Sequence, residues 1–300
     1  NGNENFHKYT NYTVGLHPNS VAVNDFNNDK QLDLAVTNGG NHDISILFGN
    51  GDGTFENQTR FTVGHNPIYI VANDFDTDKN VDLIVLNKDD GTISVLLGNG
   101  DGTFQKQTRY KSGSNSTAMT EGDFNDDGKP DLAVINSEDQ SNNTIIVFLN
   151  NGDGTFQRLV NYVTGRCPCS ITTGDFNDDN KLDLAVANNG NNDISILFGD
   201  GHGKFKNEIK YSTDKEPNWI LSADINDDTE LDLAVIDNGG QNVALFLGNG
   251  NGTFQTPIIY EVGSNSRSMI VGDFRNTKKL DLAVASFHYN HIAVFLNSCL

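Results

Sequence analysis

Apolar residues in this chain come in short runs broken by Gly, Asn and Asp, and no stretch carries the 3.6-residue period of an amphipathic helix. The runs recur in sets of four. In the first set, SVAVNDF (Ser20 to Phe26), LDLAV (Leu32 to Val36), DISILFG (Asp43 to Gly49) and TFENQTRFTVG (Thr54 to Gly64) each read as a β-strand. Runs such as Ile44-Ser45-Ile46-Leu47-Phe48 put apolar groups on both faces, as a sheet covered on both sides requires.

The sets are repeats. DFNNDKQLDLAV at Asp25 returns as DFDTDKNVDLIV at Asp74 and DFNDDGKPDLAV at Asp123. It returns again as DFNDDNKLDLAV at Asp175, DINDDTELDLAV at Asp224 and DFRNTKKLDLAV at Asp273, at spacings of 49, 49, 52, 49 and 49 residues. The three extra residues fall in SEDQSNNT around Asp139. A second motif, GNGDGTF, keeps the same beat at Phe55, Phe104, Phe156, Phe205 and Phe254. Four antiparallel strands repeating at this period make one blade of a β-propeller. The reading is therefore an all-β chain, 1–300, forming a single six-bladed β-propeller of repeats of 49 residues or slightly more, with four-stranded antiparallel blades. NGNENF at the start aligns on NGDGTF, with Phe6 in phase with Phe55, and HIAVFLN (His291 to Asn297) ends on a third strand. The ring is expected to close by the N-terminal strand completing the last blade, which removes exposed edges.

Charge narrows the function. Forty acidic and 20 basic residues give a net charge of −20, against phosphate-binding and anionic-membrane surfaces alike. No apolar run approaches the ~20 residues of a membrane-spanning helix, so neither nucleic acid nor membrane insertion is expected. Thirty glycines, with Asn at about one residue in seven, fit the many turns.

Much of the acidity sits between the first two strands of each set, where oxygen side chains recur at positions 1, 3, 5 and 9 of the loop. They are Asp25, Asn27, Asp29 and Asp33; Asp74, Asp76, Asp78 and Asp82; and Asp123, Asn125, Asp127 and Asp131. The next two loops have Asp175, Asn177, Asp179 and Asp183, then Asp224, Asn226, Asp228 and Asp232. A backbone carbonyl near position 7 (Gln31, Asn80, Lys129, Lys181, Glu230) would add an oxygen. This all-oxygen set suits Ca²⁺, which takes ~6–8 oxygen ligands, and about five ions are expected. Helices and a Glu at position 12, as in an EF-hand, are missing. The sixth loop keeps Asp273 and Asp281 but has Arg275 and Thr277 at positions 3 and 5, so it is expected to use a cationic side chain instead of metal. Position 6 favours φ > 0, which suits Gly128 and Asn180 better than Lys30, Lys79 or Thr229. The third and fourth loops are expected to fill best, the first and fifth least.

These D-x-[DN]-x-D-x-x-x-D loops, the LDLAV strands and the FGN or LGN turns make the chain resemble the FG-GAP/VCBS repeat superfamily, best known from integrin α-subunit propellers. AVTN at Ala35 and AVAN at Ala185 replace the GAP tripeptide, and the integrin propeller has one blade more. The resemblance implies an extracellular, calcium-stabilised adhesion or recognition module; a monomer with a protein or glycan partner, and not an enzyme, is expected. A secreted polysaccharide-active enzyme of the lyase type and a structural spacer are the alternatives. No HExxH or GxSxG motif is present.

The inter-blade and strand 2–3 loops, at the end away from the acidic loops, differ most between units. His17, His65, Tyr69, Trp219 and Arg267 are the candidate partner-binding residues there, since aromatic and Arg anchors dominate binding hot spots. His42, His288 and His291 map to the same end. Sequons at Asn11, Asn57, Asn115, Asn142 and Asn251 carry little weight in so Asn-rich a chain. Cys167 and Cys169 lie far along the repeat from Cys299, leaving a strained local bridge or free thiols.

Overall fold

The computed structural model describes residues 10–138, 142–263, 265–286 and 291–297. Among these are 23 β-strands and no helix, and hence no helix long and apolar enough to cross a membrane. The strands make six antiparallel sheets, five of four strands and one of three, each in sequential order. These sheets are the blades of a β-propeller. The first blade comprises Pro18–Asn24, Asp33–Asn38, Asp43–Leu47 and Thr59–Thr62. Its fourth strand is shorter than the sequence pattern suggests, with a separate bridge between Gly49 and Phe55.

The chain divides into two compact units, Asn1–Asp74 with Asp78–Lys111 and Phe75–Thr77 with Ser112–Leu300. In the first unit, Asp43–Leu47 and Asp82–Asn87 are buried throughout, and Asp33–Asn38 is buried at four of its six residues. Phe26, Ile44 and Ile46 of the first blade share an apolar cluster with Ile70, Leu83 and Val85 of the second. In the second unit, Asp183–Asn188 and Asp232–Asp237 are likewise wholly buried. The three-residue insertion lengthens one hairpin rather than adding a loop: Asp131–Glu138 and Asn142–Asn150 stay paired out to Glu138 and Asn142. Asp139 itself lies outside the described residues.

The two repeated phenylalanines explain why both motifs keep one beat. The Phe after the first Asp of one repeat meets the Phe of the GTF-type turn in the next. Phe26 pairs edge-on with Phe104 at 6.2 Å, Phe124 with Phe205 at 5.5 Å, and Phe176 with Phe254 at 5.8 Å. A backbone bond runs beside each pair, from Gly102 N–H to Phe26 O, Gly203 N–H to Phe124 O and Gly252 N–H to Phe176 O. An aromatic near the end of each repeat adds a third ring. Phe61 stacks edge-on to Phe104, Tyr162 to Phe205 and Tyr211 to Phe254.

Tyr12 sits on Phe55 in the same way, at 5.4 Å, and its hydroxyl accepts the Phe55 N–H at 3.2 Å. Tyr211 does the same for Phe254 N–H at 3.1 Å. Residues 10–15 therefore occupy a fourth-strand position ahead of the first blade. The expected pairing of the N-terminal strand with the three-stranded last blade, and Phe6 with it, falls on residues 1–9, outside the described residues.

Truncating one of these rings empties a closed site. Phe176→Ala should cost about 3–5 kcal/mol in chemical denaturation.

Candidate functional site

Each acidic loop joins the first and second strands of its blade, and its own first carboxylate folds it. Asp25 Oδ1 accepts the Asp29 N–H at 3.1 Å and Oδ2 the Lys30 N–H at 2.7 Å. Asn27 Oδ1 accepts the same Asp29 N–H at 3.1 Å, so the oxygens of positions 1 and 3 converge. Asp123, Asp175 and Asp224 bind the amides of positions 5 and 6 in the same way. With two loop residues turned left-handed, the first five residues curl into a tight cup.

Position 6 has positive φ in every loop: 69° at Lys30, 73° at Lys79, 81° at Gly128, 60° at Asn180 and 76° at Thr229. Position 4 is left-handed as well, a feature the sequence reading missed: Asn28, Thr77, Asp126, Asp178 and Asp227 lie between 58° and 64°. Asn and Asp fill four of those five places because they tolerate this region.

The second loop carries carboxylates at positions 1, 3 and 5 as well as 9. Single oxygens of Asp74, Asp76 and Asp78 all lie within 4.8 Å of one another, and Asp74 Oδ1 is buried with no hydrogen-bond partner. Like charges crowded around a buried, unpartnered acceptor oxygen, with oxygen donors only, fit a hard cation. The Gln31 and Glu230 side chains at position 7 lie against Gly51 and Gly250 of the next turn, whereas Asn80 Nδ2 donates to Asp78 Oδ2 at 2.8 Å and its Oδ1 accepts from Asn28 Nδ2 at 2.8 Å. Lys129 donates to Asn151 O at 3.0 Å, but its Nζ also lies 3.3 Å from Asp127 and competes there with any bound cation.

The aspartate at position 9 has a further role. It is fully buried in all five loops. Asp33 accepts Phe26 N–H at 2.9 Å on one oxygen and Gly49 N–H at 2.8 Å on the other, stapling the loop to the end of the third strand. Asp131, Asp183 and Asp232 make the same pair of bonds. At Gly49 a Cβ would overlap the Leu32 carbonyl, whereas in the third repeat Asn150 supplies the same amide.

In the sixth loop the same staple holds a guanidinium. Arg275 Nη2 donates to Asp281 Oδ1 at 2.7 Å and to Asn297 O at 2.6 Å, and its Nε to Oδ2 at 3.1 Å. Asp273 keeps the loop fold through the Thr277 and Lys278 amides at 2.8 and 2.5 Å. So the cationic side chain serves Asp281, while backbone serves Asp273. The Arg275 hydrogen bond holds the Asp281 carboxyl below its usual range. Without such a partner, burial pushes the Asp131 and Asp183 carboxyls up to about 6, opposed by their amide bonds and reinforced by the neighbouring loop carboxylates. Asp33 and Asp232 are raised for the same leading reason.

At the opposite end of the blades, the first unit brings two histidines together. His42 and His65 meet edge-on at 4.7 Å. His65 Nδ1 lies 2.6 Å from Asp90 Oδ1, and Arg109 Nη1 lies 3.4 Å from Asp90 Oδ2. His42 Nδ1 accepts the Asn66 N–H at 3.1 Å, which leaves its Nε2 protonated and poorly suited to a metal. His17 lies beside Gly40 with φ 54°, and Tyr69 is a half-buried residue of Pro67–Asn73. In the second unit, Trp219 packs half-buried against the Ile236 and Met269 cluster, while Arg267 is exposed. His291 is exposed too, whereas His288 lies outside the described residues. Cys167 and Cys169 are free thiols, and burial pushes the Cys169 thiol up to about 12; Cys299 lies outside the described residues.

Blades of this period, five of them with an acidic loop between their first and second strands, define a repeat propeller. The chain belongs to the FG-GAP-like repeat family, whose pattern it matches at residues 25–85, 74–134, 123–186, 175–235 and 224–284. No curated protein matches it. Among solved structures, it is similar to a protein of unknown function from Desulfotomaculum acetoxidans (14% identity, TM-score 0.67, covering 95% of this chain and 84% of that one). An Agrocybe aegerita lectin specific for non-reducing terminal N-acetylglucosamine is similar at 16% identity and TM-score 0.62, over 88% of this chain and 73% of the lectin. Streptogramin B lyase is similar at 16% identity and TM-score 0.57, over 95% and 90%. At these identities the likeness is one of fold.

Two outcomes follow from the loop geometry. The raised carboxyls bind protons in the folded chain that the unfolded chain releases near pH 3.8, so their stabilising contribution is present below that pH and lost as pH rises through about 6. Stability in chelator, read by urea denaturation, should therefore fall across that interval; a flat or rising profile would contradict the shifts. Thr229 is a β-branched residue at φ 76°. Thr229→Gly should gain about 1 kcal/mol in the same measurement.

Proposed function

We propose that this protein is a calcium-stabilised, non-enzymatic recognition module that works outside the cell as a monomer and binds a glycan or protein partner. The observation that carries the reading is the contrast among its own loops. One loop neutralises its buried aspartate with Arg275, and five keep that aspartate among further carboxylates with no arginine. Calcium is the natural counter-charge for those five. Positions 1, 3 and 5 would supply side-chain oxygens, position 7 a carbonyl, and position 9 the remaining lone pairs of the staple. Bound there, the ion would lock the hairpins from which the rest of each blade extends. Extracellular modules of this chemistry work at about 10⁻⁴–10⁻³ M calcium, which favours a setting outside the cell.

Partner binding is assigned to the opposite end of the blades, where the repeats diverge and where His17, His65, Tyr69, Trp219 and Arg267 lie. The fungal lectin of similar fold supports a glycan as the first partner to test. On a glycan array, binding is expected in calcium and not in chelator. Arg267→Ala, at an exposed position, should weaken it while leaving the unfolding temperature unchanged. An unfolding temperature unmoved by calcium would overturn the metal half of the proposal, and binding indifferent to Arg267 would overturn the proposed surface.

A further inference from the structure

The hairpin of Asp193–Gly199 and Phe205–Ser212 in the fourth blade departs from its counterparts at several positions together. It carries Asp200, His202, Lys204 and Lys206 where the other four turns have Asn, then Asp or Asn, then Thr, then Glu or Gln. In those turns the first Asn donates to the threonine hydroxyl, as Asn50 does to Thr54 and Asn249 to Thr253, both at 2.9 Å. In the fourth blade Asp200 Oδ1 instead accepts the His202 and Lys204 N–H groups, at 2.9 and 3.1 Å, and closes the turn without a threonine. Lys206 Nζ lies 3.6 Å from the other Asp200 oxygen.

Beside this turn lies a cleft of about 410 Å³, within the ~300–1,000 Å³ of small-molecule sites. One wall is apolar, made by Ile209 and the half-buried ring of Phe198. A Cβ on Gly252, in the turn of the fifth blade, would overlap that ring and crowd Asn177. Glycine there lets the turn close against Phe198, and Asn251 and Asn177 come to the same cleft.

Lys181 and Lys206 stand against Asp179 and Asp200 on its lining, so the formal charge of the cleft is zero. The amide oxygens are used within the protein. Asn177 Oδ1 accepts the Asp179 N–H at 3.0 Å, and Asn251 Oδ1 accepts the Thr253 N–H and hydroxyl at 3.1 and 2.6 Å. The nitrogens are not. Asn27 and Asn226, the counterparts of Asn177, donate to Asp29 and Asp228 at 3.0 and 2.8 Å, and Lys129, the counterpart of Lys181, donates to Asn151 O at 3.0 Å. Among the described residues, Asn177 Nδ2, Asn251 Nδ2 and Lys181 Nζ meet no acceptor. Asn251 is itself a departure, since the first three turns have Asp52, Asp101 and Asp153 there, which carry no donor.

An uncharged cleft with free donors and one apolar wall suits an uncharged ligand that is rich in acceptor oxygens and has an apolar face. A sugar ring has these properties: its hydroxyl and ring oxygens accept, and its C–H face can lie on an aromatic ring. We propose that this cleft binds one neutral pyranose residue of a glycan, with its C–H face on Phe198 and Ile209 and its oxygens on Asn177 Nδ2, Asn251 Nδ2 and Lys181. The inference rests on the glycan reading above and adds to the Arg267 surface a sugar site at the acidic end of the blades.

Phe198→Leu and Asn251→Asp each bring in a residue that other repeats carry at that position, so both variants should fold. The test is saturation-transfer NMR on the full chain in calcium, unglycosylated because Asn251 belongs to a sequon. The probes are the methyl glycosides of glucose, galactose, mannose and N-acetylglucosamine, with sodium glucuronate beside them. At least one neutral glycoside should bind, with a Kd about tenfold weaker in each variant and unchanged in Arg267→Ala. Binding that neither variant weakens, or binding of glucuronate alone, overturns the site. Glycan-array binding that falls with Arg267→Ala and with neither cleft variant overturns the cleft and leaves the glycan reading standing; if no sugar binds in either experiment, both fall.

Discussion

Everything at the acidic end of the blades depends on one buried aspartate per repeat. Placed at the start of the second strand, it spends both oxygens on backbone amides, one from the loop before it and one from the end of the third strand. It thereby fixes where the hairpin loop stands relative to the sheet. The bonds are worth having only if the charge is tolerated, and burial works against that: Asp131 and Asp183 sit well above the ordinary carboxylate range, while Asp281, beside Arg275, sits below it. The constraint can be met by a guanidinium or by a metal ion. The chain contains one loop of the first kind and five with donors for the second.

This also apportions the acidity. The −20 charge is not one reservoir of metal ligands. Part of it lies in the loop cups. Part lies in the GDGT turns, where Asp52, Asp101 and Asp153 accept both the N–H and the hydroxyl of the threonine two residues on and are held below their usual pKa by it. Those turns also position the phenylalanines that join consecutive blades. At the other end of the fifth blade, Asp237 accepts the Asp214 N–H at 3.1 Å.

The repeats, the four strands per blade and the odd sixth loop were legible in the sequence because each is a local pattern that recurs in phase. Position 6 of the loop was legible too, since Gly128 and Asn180 advertise a left-handed residue; position 4 was not, although its Asn and Asp residues were a usable signal. The double role of Asp33 and its equivalents stayed hidden because its partners are amides 7 and 16 residues away, which carry no side-chain signal. The histidines were expected to gather by repeat position. His42 and His65 do meet, and the hydrogen bond from Asn66 decides what that meeting can do.

The central claim is that arginine and metal are alternative counter-charges for the same buried carboxylate. Grafting the sixth loop's solution onto the fourth, with Asn177→Arg and Asp179→Thr, tests it most directly. The account predicts that the variant binds one calcium ion fewer than wild type and, in chelator, unfolds at a higher temperature, because Asp183 then has a partner that needs no metal. A variant that keeps its full calcium content, or that is less stable than wild type in chelator, would contradict it.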